Sequence, residues 1–232
     1  MSKLNPRLAS ALPYLKHGGR VADVGTDHAY LPIYLVENGI SSFAVASDLR
    51  AGPLARAKEN VKGAGLEEKI ELVLCDGLSK IESYHPDDIL IFGMGGELIV
   101  SILEKAPWVK NGSIGLVLQP MSHPELLRAY LLENGFAIMG ESLSFDDRIY
   151  QTIYARYGAT EKAAPYTETE LLVGRQNLSG NSPYLVPLIE RNIAILEKIL
   201  DGKKQSVGED VKYEKTLLQQ LKTELEKINE HS

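Results

Sequence analysis

Between Arg20 and Tyr157, short and continuously apolar runs alternate with longer amphipathic ones, and this pattern restricts the chain to one fold class. A strand that is apolar on both faces must be covered on both faces. Helices between successive strands supply that cover in a parallel sheet. The apolar runs lie at 20–24, 42–47, 69–74, 88–92 and 115–118. Helical periodicity falls between them at 31–37, 51–62, 97–104 and 124–133. Segments 136–143 and 149–157 follow with only a short link, which suits an antiparallel pair finishing the sheet. An α/β fold is therefore expected.

The flanks read differently. Leu4, Leu8, Ala11, Leu12 and Leu15 recur at helical spacing, so an amphipathic helix capping the sheet is expected before His17-Gly18-Gly19 turns the chain. Residues 158–167 are polar, contain Pro165 and read as a linker. Leu185, Leu188, Ile189, Ile195, Leu196, Ile199 and Leu200 then mark one long helix. After a polar stretch at 201–209, Val211, Leu218, Leu221, Leu225 and Ile228 keep heptad spacing, with Glu214 at one seam position. Two such helices joined by a short link pack as an antiparallel hairpin. The expected domains are 1–157 and 158–232.

Composition narrows the function classes. With 44% hydrophobic and 24% charged residues the chain is an ordinary globular one. Its 31 acidic against 25 basic residues exclude a generally basic nucleic-acid wrapper. The single cysteine, Cys75, cannot form an internal disulfide, and no run of 18 apolar residues or signal-peptide core exists. A soluble cytoplasmic protein that does not engage membranes is expected. The five histidines show no ligand spacing, so no metal is expected.

Chemistry-bearing residues gather where apolar runs end, the edge at which α/β sheets bind ligands. Asp23-Val24-Gly25-Thr26-Asp27-His28-Ala29-Tyr30 follows the first run. Gly25 permits a sharp turn, and the carboxylates of Asp23 and Asp27 suit a cationic or amine-bearing group; two acids there argue against pyrophosphate. Asp48 ends the second run, placed to accept hydrogen bonds from both hydroxyls of a ribose, or to cap the next helix. Asp76-Gly77 ends the third and suits either a turn or an adenine amine. Gly93, Met94, Gly95 and Gly96 bare the backbone at the end of the fourth, and Gln119-Pro120 ends the fifth.

Acid, acid, acid and glycine cluster, in strand order, resemble the Rossmann-like class I S-adenosylmethionine-dependent methyltransferases. DVGTDHAYLP, the Asp48 strand end, CDG, FGMGGELI and LQP together resemble bacterial tRNA (adenine-N1)-methyltransferases, which modify adenine 22. The resemblance spans essentially the whole chain. It implies a seven-stranded methyltransferase sheet with a C-terminal α-helical, coiled-coil-like hairpin, S-adenosyl-L-methionine as cofactor and tRNA as partner. It implies that Asp23, Gly25, Asp27 and His28 surround the methionine moiety, Asp48 and Leu49 the ribose, Asp76 and Gly77 the adenine, with Gly93 and Met94 alongside. Asp27 stands where the broader superfamily has a third glycine, and the Asn-Pro-Pro-Tyr type motif of many amino-methylating enzymes is replaced by residues 93–96.

Adenine N1 carries a free lone pair near neutral pH, so methylation there needs no general base. Alignment and electrostatics then supply the acceleration. Asp27 is expected to favour the cationic product, with His28 and Tyr30 contacting the base or the cofactor. Lys3, Arg7, Lys16 and Arg20, unaccompanied by any acid, are the expected RNA contacts, helped by Arg148, Arg156 and lysines of the hairpin. A monomer is expected.

Overall fold

A computed structural model describes residues 4–158, 164–203 and 211–230. Lys3, residues 159–163 of the expected linker, most of the 201–209 stretch and His231 lie outside the described residues. The chain divides into two compact units, Met1–Ala163 and Ala164–Ser232.

The first unit is a seven-stranded sheet. Its strands are β1 (Gly19–Val24), β2 (Ser41–Asp48), β3 (Ile70–Leu74), β4 (Asp88–Met94), β5 (Gly115–Pro120), β6 (Phe136–Phe145) and β7 (Ile149–Tyr157), in the order β3-β2-β1-β4-β5-β7-β6. The first five run parallel; β7 is antiparallel to β5, and β6 to β7. Every residue of β5 and the first five of β4 are buried, which is why their sequences show no alternation. Between the strands run α2 (Tyr30–Glu37), α3 (Ala51–Ala64), α4 (Gly96–Glu104) and α5 (Pro124–Glu133), all preceded by the short α1 (Pro6–Ala9). Strand order reverses between β1 and β4, which opens a crevice beyond their C-terminal ends.

The N-terminal segment is not the single amphipathic helix expected. Pro13 removes an amide donor and divides it into α1 and a 3₁₀ turn at Leu12–Tyr14. The apolar spacing still serves its purpose: Leu4, Leu8, Leu12 and Leu15 pack on a cluster that includes Ala11, Val21, Leu35, Leu90 and Val117. The segment also runs residue by residue along one face of β7. Arg7 lies over the Tyr150 ring, Ser10 Oγ lies 2.7 Å from Thr152 Oγ1, and Tyr14 stacks on Tyr154.

The opposite face of β7 holds a buried ion pair. A bulge between Ile138 and Gly140 shifts the register of β6, so Glu141 joins the face of Ile138, opposite Ile153 and beside Gln151. There Arg128 of α5 donates to Glu141 and to Gln151, each at 2.7 Å, and the side chains of Arg128 and Glu141 are both 0% exposed.

The second unit contains α6 (Glu168–Val173), α7 (Arg175–Ser179), α8 (Leu185–Lys203) and α9 (Lys212–Glu230). The first two helices lie in a region where sequence periodicity showed none. The sequence signal of α6 is a capping box, Thr167 with Glu170, in which each side chain accepts from the other residue's backbone N–H; α7, with Gly174 at its N-cap, has no side-chain cap. In α8 and α9 the ion pairs Lys203–Glu214 and Glu197–Lys222 join opposite ends in turn, so the helices are antiparallel. Glu214 at the heptad seam thus has Lys203 as its partner. Leu217 is buried beside Leu221, whereas Ile195 and Ile199, expected on the packed face, are exposed.

Candidate functional site

Strand ends β1 to β4 enclose a cavity of about 180 Å³ at the reversal point. It brings together Gly25, Asp48, Leu49, Asp76, Gly77 and Met94 of the residues expected to bind cofactor, and adds Arg50, Cys75, Leu98 and Ile102. Asp48 is buried, and its Oδ1 accepts the Arg50 backbone N–H at 2.8 Å, which leaves the carboxylate fixed at the rim. Leu49 is 66% exposed at the end of β2, an apolar surface with no protein cover. Gly25 has φ +80°, a conformation L side chains rarely adopt, and a Cβ there would press on Met94 Cε.

Asp23, Asp27, His28, Tyr30 and Gly93 do not line this cavity. Asp23 is buried at the end of β1, where burial pushes its carboxyl up to about 6; the Thr26 hydroxyl and the Arg7 guanidinium pull it down. That hydroxyl stands close by without reaching hydrogen-bond geometry. The loop after Asp23 holds Gly25, Asp27 and Ala29 all at positive φ. For Asp27 and Ala29 this costs on the order of 1–2 kcal/mol each, strain that a tight ligand loop characteristically stores. Asp27 is half exposed and pairs with Arg56 at 2.8 Å, which holds its carboxyl below the usual range. The Arg56 partnership was not legible in the sequence, being 29 residues away on α3. The His28 and Tyr30 rings stack at 5.1 Å, and Tyr30 is 57% exposed, presenting a bare aromatic face.

The glycine cluster ends β4. Gly96 N–H donates to the Ser122 carbonyl and Met121 N–H to the Met94 carbonyl, so the β4 and β5 ends are tied backbone to backbone. A Cβ on Gly96 would overlap the His123 carbonyl oxygen, which explains the glycine. Among the described residues no group of three or more His, Cys, Asp or Glu side chains could hold a metal, and no helix is long and apolar enough to cross a membrane.

The described members of the expected basic N-terminal cluster, Arg7, Lys16 and Arg20, do not share one surface. Lys16 pairs with Asp87, and Arg20 donates to the Tyr84 carbonyl and covers Phe43, both at the edge where β1 starts. Arg156 lies at that same edge, opposite Gly115. Arg7 is at the other edge, beside Gly93 and Gln119.

Comparison with known proteins agrees with this geometry. A family model described as a methyltransferase domain matches residues 4–153. The chain is 36% identical over 197 residues to the tRNA (adenine(22)-N(1))-methyltransferase of Bacillus subtilis, covering 84% of this chain and 79% of that protein. The crystal structure of the B. subtilis m1A22 tRNA methyltransferase superposes with a TM-score of 0.79 at 29% identity, covering 98% of each chain. TrmK of M. capricolum, in complex with the natural cofactor product S-adenosyl-homocysteine, superposes with a TM-score of 0.80 at 26% identity, over 96% of this chain and 98% of that one. With the Rossmann-like sheet, the cavity at its reversal point and these likenesses together, the chain belongs to the tRNA (adenine(22)-N(1))-methyltransferase family.

Proposed function

We propose that the chain transfers the methyl group of S-adenosylmethionine to N1 of adenine 22 in tRNA. The observation that carries this reading is the convergence of Gly25, Asp48, Asp76, Gly77 and Met94 on one cavity, in a chain of this family. The cavity suits the cofactor: acids stand at Asp48 and Asp76 for sugar and base, while Leu49, Leu98 and Ile102 supply apolar walls. Bound there, the cofactor supplies a sulfonium-activated methyl group, and transfer breaks a sulfur–carbon bond as a nitrogen–carbon bond forms.

The protein's own residues hold the partners in line and set the charge around them. Asp23, ionised at neutral pH, attracts the cationic amino-acid end of the cofactor. Asp27 is a half-exposed carboxylate, ionised at neutral pH and held further below its usual range by Arg56, and it favours the positive charge that develops on the adenine. Arg56 offsets part of that charge, so Asp27 acts less strongly than a lone carboxylate. N1 lies on the Watson–Crick edge, so the base must leave its stack. The His28–Tyr30 stack offers that base an aromatic face. All these groups come from one chain, which suits a monomer, and a tRNA substrate suits the cytoplasm. The second unit is assigned to recognition of tRNA shape; removing residues after Ala163 should weaken tRNA binding while cofactor binding persists.

The direct test uses labelled S-adenosylmethionine and unmodified bacterial tRNA. One methyl per molecule is expected at N1 of adenine 22, read as a reverse-transcription stop, and none on tRNA with guanine at that position. Methyl transfer to a different nucleotide overturns the assignment.

Asp23 adds a pH prediction. Its carboxyl holds a proton more tightly in the fold than in the unfolded chain, between pH 3.8 and about 6. It therefore favours the fold at low pH and costs about 3 kcal/mol above pH 6. Cofactor affinity should run the other way, falling as pH drops through 6 and Asp23 is neutralised. In Asp23→Asn the affinity should be lower and flat over this range. Calorimetric titration between pH 5 and 8 checks this; an unchanged slope in the variant removes Asp23 from cofactor binding.

A further inference from the structure

Arg7 and Arg148 are the two guanidinium groups that the fold brings to one aromatic ring beside the glycine cluster. Their carbons lie 5.1 and 5.2 Å from the Tyr150 ring centroid. Tyr150 is buried, and its hydroxyl donates to Asp147 at 2.6 Å, so the ring is held in place and that carboxylate is engaged. Arg7 is held as firmly. Its Nε donates to Gln119 Oε1 at 3.0 Å, and the fully buried Gln119 amide donates back to the Arg7 carbonyl at 3.2 Å. This leaves the two Nη groups of Arg7 with no hydrogen bond among the described residues. One of them, Nη2, lies 2.7 Å from where a Cβ on Gly93 would stand. Among the described residues Arg148 has only the Met121 sulfur as hydrogen-bond acceptor, a weak one.

A guanidinium fixed through Nε, with its outer nitrogens unused, matches the fork that binds an oxyanion. We propose that Arg7 and Arg148, beside the Gly93 end of β4, form a phosphate subsite for the RNA backbone that flanks the target adenine. The inference rests on the tRNA reading above and names the part of the substrate this lip contacts. A free nucleobase lacks that phosphate, so the subsite would favour RNA over adenine or adenosine. It also accounts for the N-terminal segment being laid along β7: the register Arg7–Tyr150, Ser10–Thr152, Tyr14–Tyr154 delivers the guanidinium to the ligand edge.

The test measures binding of unmodified tRNA to the full chain as a function of salt, for Arg7→Gln, Arg148→Gln and the two Arg→Lys variants. Each Gln variant should bind tRNA about 10-fold more weakly at low salt, and the slope of log affinity against log salt should fall by about one. The Lys variants should keep the slope, because the charge remains. Cofactor affinity of Arg148→Gln should match wild type, which shows that its fold and cofactor site are intact. Gln variants that retain the wild-type slope overturn the subsite. Methyl mapping on the wild-type protein is read separately. Transfer to another nucleotide, with the slopes changed as expected, overturns the adenine 22 assignment and leaves the phosphate contact standing.

Discussion

Arg128→Ala should destabilise the first unit by about 3–5 kcal/mol, the cost of leaving a buried charge without its partner. Glu141 would lose the guanidinium that now donates to it at 2.7 Å, in a site with no solvent exposure. Gln151 would lose a donor as well. The Coulombic attraction of the intact pair is not the reason for so large a figure. Desolvating both charges cancels most of it, and an apolar pair of similar volume is often as stable. Arg128→Met combined with Glu141→Met should therefore cost much less than Arg128→Ala alone. Urea denaturation monitored by circular dichroism checks both. A single-variant loss below about 1 kcal/mol would mean that water or a rearranged side chain satisfies Glu141, contrary to its burial. The consequence for function is indirect: the ion pair fastens α5 to β6 and β7, and β7 carries Tyr150 to the ligand edge.

Asp48→Ala should weaken S-adenosylmethionine binding by on the order of 100-fold, from two charge-assisted hydrogen bonds to the ribose at roughly 1.5 kcal/mol each. The existing partners of Asp48 do not replace that role. Its Arg50 ion pair is long, at 3.8 Å, and Arg50 is largely exposed, so the pair contributes little. The Arg50 amide takes one acceptor site of Oδ1 and orients the carboxylate. Asp48→Asn should bind with intermediate affinity, because one oxygen remains an acceptor. Calorimetric titration with a parallel melting curve separates lost binding from lost folding. Affinity within about threefold of wild type would show that Asp48 only caps the turn into α3.

The parallel strands and their helices were legible because each is encoded locally: burial on both faces imposes continuous apolar runs, and helices impose a 3.6-residue period. The motif positions were legible for the same reason, since a strand end is a local feature and ligands bind beyond it. The missed helices α6 and α7 are six and five residues long, too short for a period to show; the Thr167–Glu170 box announced α6, and no side-chain cap announced α7. Glu141 was hidden by the β6 bulge, which reverses the face on which every later residue of that strand lies.

By itself, then, the sequence determined the α/β sheet, its reversal-point loops and the residue types at their ends, all properties of neighbours along the chain. Tertiary structure alone decided which of those residues share the cavity, and that Asp27 is neutralised in part by Arg56. It also divided Arg7 from Lys16 and Arg20, at opposite edges of the sheet, and brought Arg7 to Gln119, 112 residues away. The reason is physical: periodicity reports the burial of an element, whereas the partner of a buried or half-buried charge is set by packing between elements remote in sequence, where proline turns and bulges choose the register.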